Sequence, residues 1–202
     1  ESAADEALDA AIRAAAPPDP ALLLERIRRD VHSGRWPQAA ADLLQSLECF
    51  PPYPFYLKAE RLLDQLLSSG TWRPRRRLRL AVLASGAASL LLPVLRMSAF
   101  RFGLEVELYE GAYGGWRQEI LDPASRLYDF APEAVLLLIS LEELALAPTG
   151  SHDRVETAVA ELRTLWGMLG QRMGCRIVQT SFDPPPPGPW GSLETTLPDG
   201  RR

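Results

Sequence analysis

Leu78-Arg79-Leu80-Ala81-Val82-Leu83-Ala84 is an apolar run that stops at Ser85-Gly86. It is too short and too apolar for a surface helix, and it reads as a strand buried on both faces. The turn Ala84-Ser85-Gly86-Ala87-Ala88 leads into a helical pattern through Leu90, Leu91, Val94 and Leu95, which ends near Phe102-Gly103. A second strand, Leu104 to Tyr109, precedes a loop rich in glycine and aromatic residues, Glu110 to Arg117. Ala134 to Ile139 is a third strand, again fully buried on this reading, and Cys175 to Thr180 a fourth. Between them lies a helix, Val155 to Met173, with Val159, Leu162, Leu165, Trp166 and Leu169 on its buried face. Strands alternating with helices predict an α/β fold with a parallel sheet. Sites in such sheets gather at the carboxyl ends of the strands, where Ser85, Gly111 and Ser140 fall.

The residues before this core are helical. Leu8 and Ile12 stand i, i+4 in a helix over 5–16 that Pro17-Pro18 stops. Asp19-Pro20 caps the next, whose stripe is Leu22, Leu23, Ile27 and Val31 and which Gly34 ends. Arg35-Trp36-Pro37 restarts a helix with Ala40, Leu43, Leu44 and Leu47. A last one, Phe55 to Leu67, shows Leu57, Leu62, Leu63, Leu66 and Leu67. Residues 1–73 thus form a helical appendage, loosely similar to tetratricopeptide hairpins. It is either a protein-docking surface or a cover packed on the α/β domain. Helix pairs need something on their second face, which favours the cover. The α/β core takes residues 74–181, and residues 182–202 form a proline-rich extended tail or linker. Thr71 to Arg79 carries five arginines, Arg73, Arg75, Arg76, Arg77 and Arg79, read as a solvated linker or a phosphate or carrier contact.

Composition excludes several classes. The chain has 202 residues, net charge −4 and pI about 5.3, so nucleic acid is not the expected partner. Of 22 basic residues only Lys58 is lysine. Cys49 and Cys175 lack metal or redox spacing and read as free thiols of a cytoplasmic protein. No apolar stretch reaches the length of a membrane span, and the acidic start at Glu1 is not a signal peptide. Starting on Glu1 rather than Met suggests an excised segment. No GxGxxG fingerprint and no Walker sequence is present, and no metal site is expected.

Ser85 is the candidate nucleophile, its hydroxyl expected near the N-terminus of the following helix, where a developing negative charge is favoured. The plain alternative is an N-cap serine. Gly111 and Ser140 are candidate oxyanion positions. His152-Asp153 suggests a triad, but adjacent residues project in different directions, so Asp153 is better read as a helix-start charge. His32 reads as structural. In the loop, three glycines permit close backbone approach. Tyr113, Gly114, Trp116, Arg117, Gln118 and Glu119 are the candidate substrate- or partner-binding residues.

Tyr109-Glu110-Gly111, Tyr113 through Tyr128 (YGGWRQEILDPASRLY) and Gln179 through Pro187 (QTSFDPPPP) resemble the N-terminal region of FkbH-like proteins over roughly Arg77 to Arg202. The resemblance implies an SGNH-hydrolase-like, flavodoxin-type three-layer domain preceding a haloacid dehalogenase (HAD) domain. It implies an enzyme of polyketide biosynthesis that takes a phosphoglyceryl unit from 1,3-bisphosphoglycerate, removes phosphate and places glyceryl on an acyl carrier protein. The Mg and the phosphate chemistry would belong to the HAD domain, in cis or in trans. Its Asp-x-Asp-x-Thr-type motif does not occur in these 202 residues, and no cofactor is expected in this chain. By the same resemblance Ser85 stands at the SGNH nucleophile position, though Gly-Asp-Ser reads Leu-Ala-Ser-Gly. Gly111 matches the second-block glycine, and Ser140 replaces an oxyanion asparagine. The late Asp-x-x-His block is not met before Arg202. The expected role is therefore a scaffold and docking region of a glyceryl-loading enzyme, not catalytically complete alone. The alternatives are an SGNH-type esterase or acyltransferase using Ser85, and a non-catalytic carrier-docking module.

Overall fold

The computed structural model describes residues 2–14, 19–144 and 152–182. The proline-rich tail and the residues just before His152 lie outside them. The described elements are helices α1 (Ser2–Ala14), α2 (Pro20–His32), α3 (Trp36–Glu48) and α4 (Tyr53–Ser68), strand β1 (Arg76–Ala84), helix α5 (Leu92–Arg101) and strand β2 (Leu104–Glu110). They continue with α6 (Trp116–Leu121), α7 (Arg126–Phe130), β3 (Ala134–Leu138), a 3-10 turn at Glu142–Leu144, α8 (His152–Met173) and β4 (Arg176–Gln179). The strands form one sheet in the order β2-β1-β3-β4. β1 runs parallel to β3, with Leu80 opposite Ala134 and Ala84 opposite Leu138, and β3 runs parallel to β4. This is the expected flavodoxin-like order, in which the connection reverses direction between β1 and β3.

The chain folds as two units that interleave in sequence. One comprises residues 1–77 and 89–106, the other 78–88 and 107–202. The expected division at 73/74 falls inside the first of these units. Helix α5, which connects β1 to β2, packs with the helices before it. Met97 and Phe100 join Leu24, Ile27, Leu43, Phe55, Leu62 and Leu66 in one core, and Trp72 lies 4.7 Å from Phe100, centroid to centroid.

In the helical unit the caps follow the sequence reading. Asp19 Oδ1 accepts from the Ala21 amide at 2.8 Å, and Gly34 has φ +73°. The stripes differ in detail. Leu24 is buried where Leu22 was expected, and Leu57 is exposed, its place taken by Ala59. Helix-to-helix crossing, rather than the size of the side chain, decides which residue of a broad apolar face is covered. Arg26 forms a bidentate pair with Asp42, 2.6 and 2.8 Å, and Asp42 is only 2 % exposed. A cleft of about 430 Å³ opens beside this pair, lined by Asp9, Arg29, Asp30, Arg35 and Gln38 among others. Arg35 holds Asp30 Oδ1 at 2.7 Å.

In the α/β unit only the last four residues of β1, Ala81 to Ala84, are buried on both faces, while Arg76, Arg77 and Arg79 are exposed. β3 alternates, with Val135 and Leu137 buried and Leu136 half-covered, so it is not buried on both faces as its composition suggested. On α8 the buried face is Ala158, Leu162, Leu165 and Leu169, and Val159 turns outward. These residues pack with Trp116, Ile120 and Leu127 over Ala81, Leu83, Val135 and Leu137. Among the described residues no helix is long and apolar enough to cross a membrane.

Candidate functional site at the strand ends

The carboxyl ends of β1 and β3 meet at the point where the strand order reverses, the usual place for a ligand crevice in this architecture. Here the strand ends are joined by hydrogen bonds through Ser85. The Ser85 amide donates to Leu138 O at 3.0 Å. The Ser85 hydroxyl accepts from the Ser140 amide at 2.9 Å and lies 3.4 Å from Leu138 O, to which it donates. Helix α5 begins only at Leu92, after Leu91 as N-cap and with Pro93 in its first turn. Ser85 thus stands six residues before the helix cap in the sequence. The expectation of Ser85 as the N-cap of the following helix is corrected, since Leu91 takes that position. The apolar residues behind that expectation also separate, since Leu90 is 64 % exposed while Pro93, Met97 and Phe100 form the buried stripe.

Both candidate oxyanion donors are occupied. The Ser140 amide is the one bound by Ser85, and the Gly111 amide donates to Val82 O at 2.9 Å. A Cβ on Gly111 would come within 2.6 Å of Leu83 Cδ2, a side chain fully buried in the sheet core. Close packing against Leu83 favours glycine there. Gly114 (φ +63°) turns the loop back towards Ser85, a Cβ on it falling 3.9 Å from Ser85 O. Tyr113, 79 % exposed, stands on this rim.

The remaining loop candidates separate into one that faces out and three that face in. Gln118 is exposed. Trp116 opens α6 and is fully buried, with its Nε1 buried and lacking a hydrogen-bond acceptor. Arg117 lies over its ring, 4.3 Å from the centroid. Its guanidinium donates to Glu161 Oε1 at 2.6 Å and to Glu143 O at 2.7 Å, joining α6 to α8 and to the 3-10 turn. Glu119 accepts from the Tyr109 hydroxyl (3.0 and 2.9 Å), from the Ser125 hydroxyl and, at 3.4 Å, from the Ala112 amide. Burial, then the bond to Glu119 and its charge, push the Tyr109 hydroxyl up to about 12. Tyr109 also stacks on Phe130 at 5.5 Å.

Sequence reasoning missed how this segment is closed. The Tyr128 hydroxyl donates to Ile120 O, and Arg172, near the end of α8, donates to Ile120 O (3.0 Å), Leu121 O (3.2 Å) and the Tyr128 hydroxyl (3.0 Å). A cation thus meets the last carbonyls of α6, where the helix end favours positive charge. Arg172 is separated from them by about fifty residues, so no local spacing announces the contact. Ser125 caps α7 as its hydroxyl accepts from the Leu127 amide at 3.1 Å, and Asp122 Oδ1 accepts from Ala124 at 2.9 Å, the turn chemistry its sequence suggests.

His152 opens α8, but its side chain and that of Asp153 lie outside the described residues. His32 ends α2 in the helical unit. Cys49 and Cys175 are free, and burial pushes the Cys175 thiol above its ordinary value, away from thiolate chemistry. Among the described residues no group of three or more His, Cys, Asp and Glu is gathered as metal ligands would be.

No curated protein matches the chain. Among solved structures, it is similar to the crystal structure of the N-terminal part of the protein BF1531 from Bacteroides fragilis, described as containing a phosphatase domain complexed with Mg. The TM-score is 0.55 at 21 % sequence identity, over 71 % of this chain. That likeness concerns the fold, and the chain covers 37 % of that longer neighbour. The family model of the FkbH N-terminal domain matches residues 79–185, which hold the Tyr109 to Tyr128 segment and the start of the proline run. The chain belongs to the FkbH N-terminal domain family.

Proposed function

We propose that this chain is a scaffold and docking region of a glyceryl-loading enzyme of polyketide biosynthesis, with its phosphate chemistry on a HAD domain outside these residues. In this reading the whole protein takes glyceryl from 1,3-bisphosphoglycerate and delivers it to an acyl carrier protein in the cytoplasm. The family match and the phosphatase-containing neighbour support a HAD partner domain. One observation favours scaffold over independent catalysis. The Ser85 hydroxyl is bound by the Ser140 amide, and the Gly111 amide is spent on Val82, so nucleophile and oxyanion donors satisfy one another or the sheet. An oxyanion donor must be free to point at the developing charge.

Ser85→Ala in the complete enzyme, assayed for glyceryl transfer to carrier protein, tests this. The scaffold reading expects transfer to fall by less than about ten-fold. Removal of an acting nucleophile costs several orders of magnitude, and such a loss would favour the alternative, an SGNH-type acyltransferase working through Ser85.

A further inference from the structure

The C-terminal end of α5, inside the helical unit, carries an unusual surface. Phe50 follows the C-cap of α3 with φ +48°, the left-handed conformation that glycine normally supplies at this position. A bulky side chain there is strained by about 1–2 kcal/mol. Its ring is nevertheless 80 % exposed. The Arg101 guanidinium lies 5.6 Å from the ring centroid and makes a bidentate pair with Glu48 (2.9 and 2.8 Å). Phe102, the next residue and the C-cap of α5, is 69 % exposed. The Arg75 amide then donates to Gly103 O at 2.8 Å, and its side chain lies along Gly103, where a Cβ would meet it at 3.1 Å. Arg73 and Arg77 flank it, both exposed, with Arg77 bound to Glu105 at 2.8 Å. Two exposed phenylalanines and a row of arginines are thus brought to one helix end.

Strain and exposure at Phe50 both disfavour the free state, and covering the ring would offset the second. Aromatic residues and arginine are what protein interfaces enrich. Positive charge dominates the patch on a chain whose net charge is −4, so the complementary partner is acidic. We propose that this patch is a docking surface for an acidic protein. Its identification with the carrier protein rests on the function proposed above. Phe50 and Phe102 provide the apolar contact, while Arg73 and Arg75 meet the partner's carboxylates.

The test is titration of the full chain with a purified holo-acyl carrier protein, followed by anisotropy of a label on the carrier. Wild type should bind, and more weakly as salt screens the pair. Arg73→Glu with Arg75→Glu should weaken binding by more than about ten-fold, and Phe102→Ala by about three- to ten-fold. Circular dichroism reads folding, and Arg73→Gln with Arg75→Gln serves if the reversal variant does not fold. A well-folded reversal variant that binds like wild type overturns the surface but leaves the carrier reading standing. Absence of wild-type binding overturns both. Wild-type binding to phosphatidylglycerol vesicles in place of the carrier overturns the protein partner in favour of a lipid surface.

Discussion

Asp42 in the helical unit and Glu119 in the α/β unit each tie several elements together, and the two carboxylates are satisfied in opposite ways. In the helical unit Asp42 is held by a cation, Arg26, with Gln38 donating at 3.0 Å. In the α/β unit Glu119 is held by the neutral hydroxyls of Tyr109 and Ser125 and an amide. The first arrangement depends on a single charge partner from another helix. The second spreads the load over donors from β2, its following loop and the α7 cap, fixing the whole segment 109–128 at once. The family signature therefore marks how the strand-end loop is built. Trp116, Arg117 and Glu119 face inward, and Tyr113 and Gln118 are the exposed side chains of this loop's candidates.

That contrast can be broken at graded depth. Trp116→Ala removes the largest fully buried side chain among the described residues. It should cost roughly 3–5 kcal/mol, measured by urea denaturation, and a loss below about 1 kcal/mol would mean the loop does not depend on it. Arg26→Met leaves Asp42 buried without its cation and should cost about 3 kcal/mol. Hydrogen exchange should localise the loss to α2 and α3. Gly111→Ala forces its new methyl against Leu83 and should cost about 1–3 kcal/mol, while Gly86→Ala, which meets nothing within 4 Å, serves as the neutral comparison.

Glu119→Gln is milder in stability, about 1–2 kcal/mol, but it carries a pH signature. The folded Tyr109 value of about 12 lies above the ordinary tyrosine value of about 10. Its proton is bound more tightly in the folded state. The stability this contributes is complete below about pH 10 and is lost as pH rises through about 12. With glutamine the tyrosinate titration should move back towards pH 10, with Tyr109→Phe identifying the signal. Smallest of all, Arg117→Ala loses half-exposed ion pairs and should cost no more than about 1 kcal/mol.

Much of the α/β unit was legible because the strands and α8 repeat apolar residues at their own periods. The strand order and the alternate burial of β3 depend on neighbours far along the chain, which periodicity does not record. The division into units is not one that periodicity carries. α5 lies between two strands in sequence, yet Met97 and Phe100 find their apolar partners among the earlier helices. The loop candidates separate in the structure, Tyr113 and Gln118 exposed while Trp116, Arg117 and Glu119 pack inward. Glycine, tryptophan and a charged triplet suit a binding loop and a packed corner equally. Only distant residues such as Arg172, Glu161 and Val82 decide between them.

The most direct test of the account is the reactivity of Ser85. The chain would be incubated with a fluorophosphonate and, separately, with a glyceryl thioester, then digested and examined by mass spectrometry. A hydroxyl committed to the Ser140 amide, without an open oxyanion donor, should carry no adduct from either reagent. A stoichiometric adduct on Ser85 would show an activated nucleophile and would contradict the scaffold reading.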